Sequence, residues 1–314
     1  SFFTSKWAGF TASRNGSFAY LPKGNVNRLT WFDRTGRKLG EIGTPDAGET
    51  IDLSISPDGR RVAFDRTRLD LGTFDVWLID FDRGFETRLT SAPNTEFDPV
   101  WLPDQKHLIY SVVRDSLPQL VRSDLASGAE EPLLPPGTFQ EALAVSADGR
   151  LLFSESDPKG GFGIWTVPLA GGAKASPVVP SREQAEVGRF SPDGRFVAFL
   201  SGGAGQGDAA YVQPIDGAGE RVRISPGRAT LLRWSRDGKE IFYTTPEGRL
   251  VSVPIRTSPA LEVGKPVDLF ALPANGWRAF DVAADGRFLA AVPTVSYATE
   301  PVDVVVSGTG KLPE

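Results

Sequence analysis

The sequence predicts an all-β fold, a β-propeller of four-stranded antiparallel blades, with seven blades as the first count and six as the fallback. Three observations carry this. A tight-turn motif of the type S-x-D-G recurs seven times at a nearly constant period. Short strand-like apolar segments flank each copy, and no window of helical period reaches the length of an ordinary helix. Gly (34) and Pro (25) make up about 19% of the 314 residues, against roughly 12% in average usage, which is too many breakers for a helical bundle.

The copies are SRNGSFAY (Ser13–Tyr20), SPDGRRVAF (Ser56–Phe64), LPDQKHLIY (Leu102–Tyr110), SADGRLLFS (Ser146–Ser154), SPDGRFVAF (Ser191–Phe199), SRDGKEIFY (Ser235–Tyr243) and AADGRFLAA (Ala283–Ala291). Their fourth positions, Gly16, Gly59, Gln105, Gly149, Gly194, Gly238 and Gly286, stand 43, 46, 44, 45, 44 and 48 residues apart. Ser56-Pro57-Asp58-Gly59 has the residues of a type I turn followed by a left-handed glycine, the common three-residue hairpin connection. Gln105 breaks the pattern and must adopt a positive φ or use another turn.

In each copy a first strand precedes the turn (52–55, 99–101, 232–234) and a second follows it (62–64, 108–110, 197–199, 241–243). Third strands are expected at Leu29–Phe32, Asp75–Ile79, Gln119–Arg122, Gly163–Val167, Ala210–Gln213, Leu250–Val253 and Val302–Val306. More polar fourth strands, such as Glu86–Leu89 and Arg221–Ile224, close most copies. Four short strands per roughly 40–45 residues is the pattern of a propeller blade. The whole chain, 1–314, then reads as one propeller domain with blades starting near 8, 50, 96, 140, 185, 229 and 277. The last copy lacks a fourth strand, and Phe2–Trp7 is predicted to pair with it and close the ring.

Composition removes several function classes. There is no cysteine, which excludes disulfides, thiolate nucleophiles and cysteine-based metal sites and suits an oxidising compartment. The net charge of −5 is no nucleic-acid footprint. The longest uncharged window, Gly160–Ala173, is broken by glycines and too short to span a bilayer, so no membrane insertion of the chain is expected. A chain that starts at Ser1 and has no Met reads as a processed form or an excised fragment, and a monomer is expected.

The string S-P-D-G-R/K followed by an apolar strand, repeated at this period, resembles the WD40-like repeats of TolB-type β-propellers over essentially the whole chain. FTASRNGSFAY, LTWFDRTGRKLGEIG, VWLID and YVQPI are similar to a subgroup of them, the propellers attached beyond a membrane helix to bacterial transmembrane serine/threonine kinases. TolB itself has six such blades. The resemblance implies an extracytoplasmic, periplasmic location in a bacterium.

The search for catalytic motifs is negative. The single histidine, His107, falls on a strand beside a surface hairpin, and one imidazole cannot make a multi-histidine metal site. No G-x-S-x-G elbow or Walker motif occurs. Gly203–Gly207 reads as a blade loop, Asp80-Phe81-Asp82-Arg83-Gly84 as a hairpin, and Asn15-Gly16-Ser17 as a weak sequon in a turn. The tryptophans read as packing between blades, with Trp7 and Trp277 as the contact candidates.

In propellers of this type the strand before the turn is innermost, and its start faces one mouth of the channel. Seven and eight residues before the turn position, copies two to five carry Asp52, Asp98, Glu141 and Glu186, while copies six and seven supply Arg228, Trp277 and Arg278 nearby. The expectation is a mouth acidic on one side and cationic-aromatic on the other, binding a protein, a peptide or a small molecule. Converging carboxylates repel unless a cation or an arginine joins them, and hard oxygen ligands suit Ca²⁺. The alternative is that these acids accept hydrogen bonds from backbone N–H groups of the adjoining loops. No cofactor is expected, and Ca²⁺ is the one metal with a case.

The function expected is non-catalytic, an extracytoplasmic sensor or interaction module of a receptor-like kinase. The rivals are a propeller lyase or hydrolase, the gating propeller of a prolyl-oligopeptidase-type peptidase, and a free-standing TolB-like periplasmic scaffold.

Overall fold

In the computed structural model the described residues are 10–12, 17–20, 27–44, 48–68, 71–172, 174–202, 208–272, 277–293 and 304–306. The S-x-D-G turns build the hairpins from which everything else follows. Ser56 Oγ donates to Asp58 Oδ1 at 2.6 Å and accepts the Arg61 N–H at 2.9 Å, so one hydroxyl ties the turn to the strand leaving it. The same hydroxyl–carboxylate bond recurs at Ser146–Asp148, Ser191–Asp193 and Ser235–Asp237. The residue after the Asp is left-handed, with φ of 72° at Gly59 and 59° at Gln105. Gln105 therefore takes the strained conformation. Its carbonyl accepts from Arg61 Nη2 of the preceding hairpin at 2.7 Å, which helps hold the turn.

Copies two to seven become blades 1 to 6. From the axis outward, blade 1 is Leu53–Ile55, Arg61–Arg68, Thr73–Asp80 and Glu86–Arg88. Blade 2 is Glu96–Trp101, His107–Arg114, Leu117–Asp124 and Glu130–Pro132. Blade 3 is Gln140–Val145, Arg150–Ser156, Phe162–Pro168 and Ser176–Val179. Blade 4 is Ala185–Phe190, Phe196–Ser201, Ala209–Pro214 and Val222–Arg223. Blade 5 is Leu231–Trp234, Glu240–Thr244 and Arg249–Arg256, whose outer edge takes both Glu262–Val263 and Val267–Ala271. All pairings are antiparallel.

Blade 6 closes the ring and corrects the count of seven. Ala279–Val282 and Phe288–Pro293 come from copy seven, while its outer strands, Asn27–Phe32 and Lys38–Ile42, come from copy one. The register runs from Phe288 opposite Phe32 to Pro293 opposite Asn27. Two incomplete copies thus make one blade, and six innermost strands lie side by side around the axis, the last (Ala279–Val282) against the first (Leu53–Ile55). Closure is by an N-terminal segment, as the sequence implied, but by Asn27–Ile42; Phe2–Trp7 lies outside the described residues. The third strand expected at Val302–Val306 does not join blade 6. Val304–Val306 pairs with Ser17–Tyr20, which also pairs with Phe10–Ala12, in a separate three-stranded sheet.

Each blade is apolar on both faces because each is covered on both sides. Val62 and Phe64 pack toward blade 6, and Ala63 between them packs toward blade 2. Among the described residues one apolar cluster fills each of the six junctions between neighbouring blades. Inner-strand tryptophans also bond across junctions: Trp101 Nε1 donates to the Ser54 carbonyl at 2.9 Å and Trp234 Nε1 to the Arg189 carbonyl at 3.2 Å. Among the described residues no helix is long and apolar enough to cross a membrane.

Candidate functional site

The innermost strands bring chemistry to the axis. Strand period two places the fifth and seventh residues before each turn on one face. In blade 1 the seventh is Asp52. In blades 4, 5 and 6 the fifth are Arg189, Arg233 and Asp281, at the level of Ser54, Val100 and Ala144 in blades 1 to 3. Asp52 reaches across the channel to the opposite side. Arg233 Nη2 donates to its Oδ1 at 2.5 Å and Arg189 Nη2 to its Oδ2 at 3.2 Å. Both arginines are braced by their own strands, Arg189 Nη1 donating to the Gly188 carbonyl and Arg233 Nη1 to the Leu232 carbonyl, each at 2.9 Å. Blade 1 is thereby tied to blades 4 and 5 at mid-height.

Asp281 makes a second knot below the first. It accepts the Ile55 N–H at 2.8 Å and Arg236 Nη2 at 3.2 Å. Arg236, in the blade 5 turn, also donates to the Val282 carbonyl through Nε and to the Ile55 carbonyl through Nη2, each at 3.0 Å. Three guanidiniums therefore face two carboxylates. Burial, and then the charge of Arg233, push the Arg189 pKa down to about 10. Between these knots and the S-x-D-G turns lies a cavity of about 350 Å³, lined by Trp101, Trp234, Pro103 and Pro192 together with Ser54, Ser146, Ser191 and Ser235.

The sequence-expected residues fall on the other side of the Asp52 bridge, with different fates. Asp98 and Glu141 come together with Asp52. Burial first, then the charges of Glu141, Asp52 and Asp65, raise the Asp98 pKa well above the carboxylate range. Asp98 is left-handed (φ 54°), at an irregularity in its strand's pairing. Glu186 lies in strand Ala185–Phe190, and its side chain is outside the described residues. Arg278 Nε lies 3.7 Å from Glu49 Oε1, an ion pair between blades 6 and 1. Arg228 is exposed, near Glu247 at the end of the molecule away from the turns. Trp277 is core: 8% exposed, packed against Phe270 and Phe280, and donating to the Gly248 carbonyl at 2.9 Å. The structure thus gathers Asp52, Asp98 and Glu141 and disperses the cationic-aromatic side.

Sequence reading missed Asp65, Arg189, Arg233, Arg236 and Asp281. A count at the fifth position would have found three of them. Arg236 stands where three other copies have proline, which was a second signal. Asp65 has no such marker. Its fully buried carboxyl accepts the N–H groups of Ile51 at 2.7 Å, Asp52 at 3.2 Å and Asp98 at 3.3 Å, holding the entrances of two inner strands.

Burial lifts the Asp65 pKa to about 8, and the Asp52 charge adds to this against the pull of those N–H groups. The folded chain thus keeps a proton that the unfolded chain releases near ~3.9. The resulting stability is complete below pH ~4 and is lost as the pH rises toward 8. One extra bound proton gives a slope of about 1.4 kcal/mol per pH unit at most. Denaturant titrations between pH 4 and 8 should show wild type losing stability relative to Asp65→Asn. Parallel curves would show that Asp65 does not titrate in this range.

The remaining motif readings agree with their surroundings. His107 lies outside the channel, its Nδ1 2.7 Å from Asp104 and its Nε2 3.3 Å from Asp124. Asp80 Oδ1 accepts the N–H groups of Asp82 and Arg83 in an ordinary hairpin turn. Gly203–Gly207, Asn15-Gly16 and Trp7 lie outside the described residues. Among the described residues no group of three or more His, Asp or Glu side chains is arranged to hold a metal ion.

No family model matches the chain. Over 203 residues, 61% of the chain and 68% of the relative, it is 28% identical to an uncharacterised protein of Agrobacterium fabrum. Among solved structures it resembles TolB from Acinetobacter baumannii (TM-score 0.60, 16% identity, covering 80% of this chain and 68% of that one). It also resembles a structure assigned as TolB from Agrobacterium tumefaciens (TM-score 0.69, 14% identity, 87% and 100%). An oligogalacturonate lyase solved in complex with manganese is similar as well (TM-score 0.57, 18% identity, 84% and 77%). The fold is that of TolB-type β-propellers.

Proposed function

We propose that the chain is a non-catalytic binding propeller that works outside the cytoplasm, as the sensor or interaction module of a larger receptor-like kinase. The observation that carries this reading is the Asp52–Arg189–Arg233 bridge. It fills the channel at mid-height with side chains hydrogen-bonded to one another and leaves a cavity at the turn end. An active site keeps a nucleophile or base free for substrate. Here the axial guanidiniums and the carboxylates of Asp52 and Asp281 are spent on one another and on backbone. The partner is a protein, a peptide or a small molecule seated in that cavity, bound without a cofactor by a monomer. Fold likeness to TolB supports the extracytoplasmic setting by analogy.

Two measurements test the reading together. The coding sequence on both sides of Ser1–Glu314 should encode a kinase domain and a hydrophobic segment upstream. A cleavable signal alone, with nothing catalytic on either side, would leave a free-standing TolB-like scaffold, and a hydrolase domain downstream would make this a gating propeller. The purified chain should leave oligogalacturonate and a panel of esters unchanged. Turnover that survives repurification would replace the binding reading with an enzymatic one.

A further inference from the structure

Three features of the turn-end cavity define what it takes. First, the charge is unbalanced, with Arg189, Arg233 and Arg236 against Asp52 and Asp281. Second, the outermost of the three is the most accessible. The Arg236 side chain is 37% exposed against 6% for Arg233, and its three bonds use Nε and Nη2, which leaves Nη1 with no protein acceptor among the described residues. Third, the walls around these cations combine apolar side chains with four serines, of which Ser146, Ser191 and Ser235 give their hydroxyls to turn aspartates, and the indole N–H groups of Trp101 and Trp234 are already given to backbone carbonyls of the neighbouring blades. With most wall donors already used inside the turns, the walls offer contact area and few free donors, while the floor offers guanidinium donors.

From this we infer that the turn-end mouth is a carboxylate site, and that its ligand is a peptide chain end whose free carboxylate meets Arg236 while apolar side chains lie against the exposed rim prolines Pro57, Pro103 and Pro192. The inference rests on the mouth being the binding surface and adds the chemistry of what enters. A volume of about 350 Å³ is at the lower end of the ~300–1,000 Å³ of small-ligand sites, which suits a chain end of a few residues rather than a folded domain. Planar guanidinium pairs with planar carboxylate by parallel N–H donors, and the low-dielectric walls strengthen that pairing. A sugar acid offers the same carboxylate, but its many hydroxyls would find few partners on these walls.

The test is calorimetric titration with pools of N-acetylated tripeptides of apolar residues, prepared as free acids and as C-terminal amides, with galacturonate alongside. The free acids should bind at least tenfold more tightly than the amides. Arg236→Gln should weaken the acids at least tenfold, and Arg228→Gln, at the far end, should leave them unchanged. Ala147→Trp, on the cavity rim, should block both pools. Thermal unfolding of each variant shows whether it is folded. Acids and amides that bind equally and are both blocked by Ala147→Trp would overturn the carboxylate and leave the mouth. No binding by either pool to folded protein would overturn the inference, and galacturonate bound in preference to the peptides would replace it with a uronate site.

Discussion

Asp52→Ala is expected to cost about 3–5 kcal/mol of stability, the usual cost of removing one partner from a buried ion pair. Asp52 is the carboxylate that bonds both Arg189 and Arg233, whose side chains are 14% and 6% exposed; Asp281 stands 3.9 Å from Arg233 Nε. Without it two guanidiniums face each other in a confined space, and the strand start at Leu53, whose N–H its Oδ1 accepts at 2.9 Å, loses its anchor. Asp52→Asn keeps the shape and one acceptor but not the charge, so it should fall between. Urea unfolding at pH 7 reads the difference as a shift in midpoint at constant slope. A loss under ~1 kcal/mol for the alanine variant would show that the bridge contributes no more than a surface pair.

The second large effect concerns ring closure. Removing residues 1–44 should abolish cooperative unfolding. It strips the two outer strands from blade 6, uncovers the edge of Phe288–Pro293 and opens junctions in which Leu29, Trp31 and Phe32 are buried. The loss is of the order of the ~5–15 kcal/mol that holds a domain together. The converse is more telling. Pro293 lies directly opposite Asn27. A permuted chain starting at Gly48, running to Pro293 and then through a hairpin loop of about four residues into 27–44, should fold with a cooperative transition close to that of the intact chain. Failure of this permutant to fold, with the intact chain folding under the same conditions, would return the outer strands of blade 6 to some other segment.

Much of this was legible from the repeat. The S-x-D-G turns, the strand order and the inner-strand tryptophans follow from period and local chemistry. The blade count did not follow, for a physical reason. Tandem copies are alike, so LTWF reads as the third strand of copy one and VDVVV as that of copy seven, and nothing local shows that LTWF serves copy seven instead. Choosing between them depends on how many inner strands close around the axis, a property of the whole ring. The site divided the same way. Asp52, Asp98 and Glu141 were found because carboxylates were sought at the strand starts. Arg189 and Arg233 begin farther along their strands and reach the axis with long side chains, while irregular pairing near Asp98 and Glu186 shifts the count between blades. Asp65 sits in a second strand, where no inner-strand count would find it.

What is proposed for the mouth depends on the channel being closed above it by a bond between opposite blades. A double-mutant cycle on Asp52→Ala and Arg233→Leu measures that bond directly, because the two residues are 181 positions apart in sequence and meet only across the axis. The expected coupling is about 2–3 kcal/mol, at the upper end of what contacting residues show, with the double variant more stable than the sum of the single losses allows. Losses that add within ~0.5 kcal/mol would mean that Asp52 and Arg233 do not interact, and that the channel is not closed in this way.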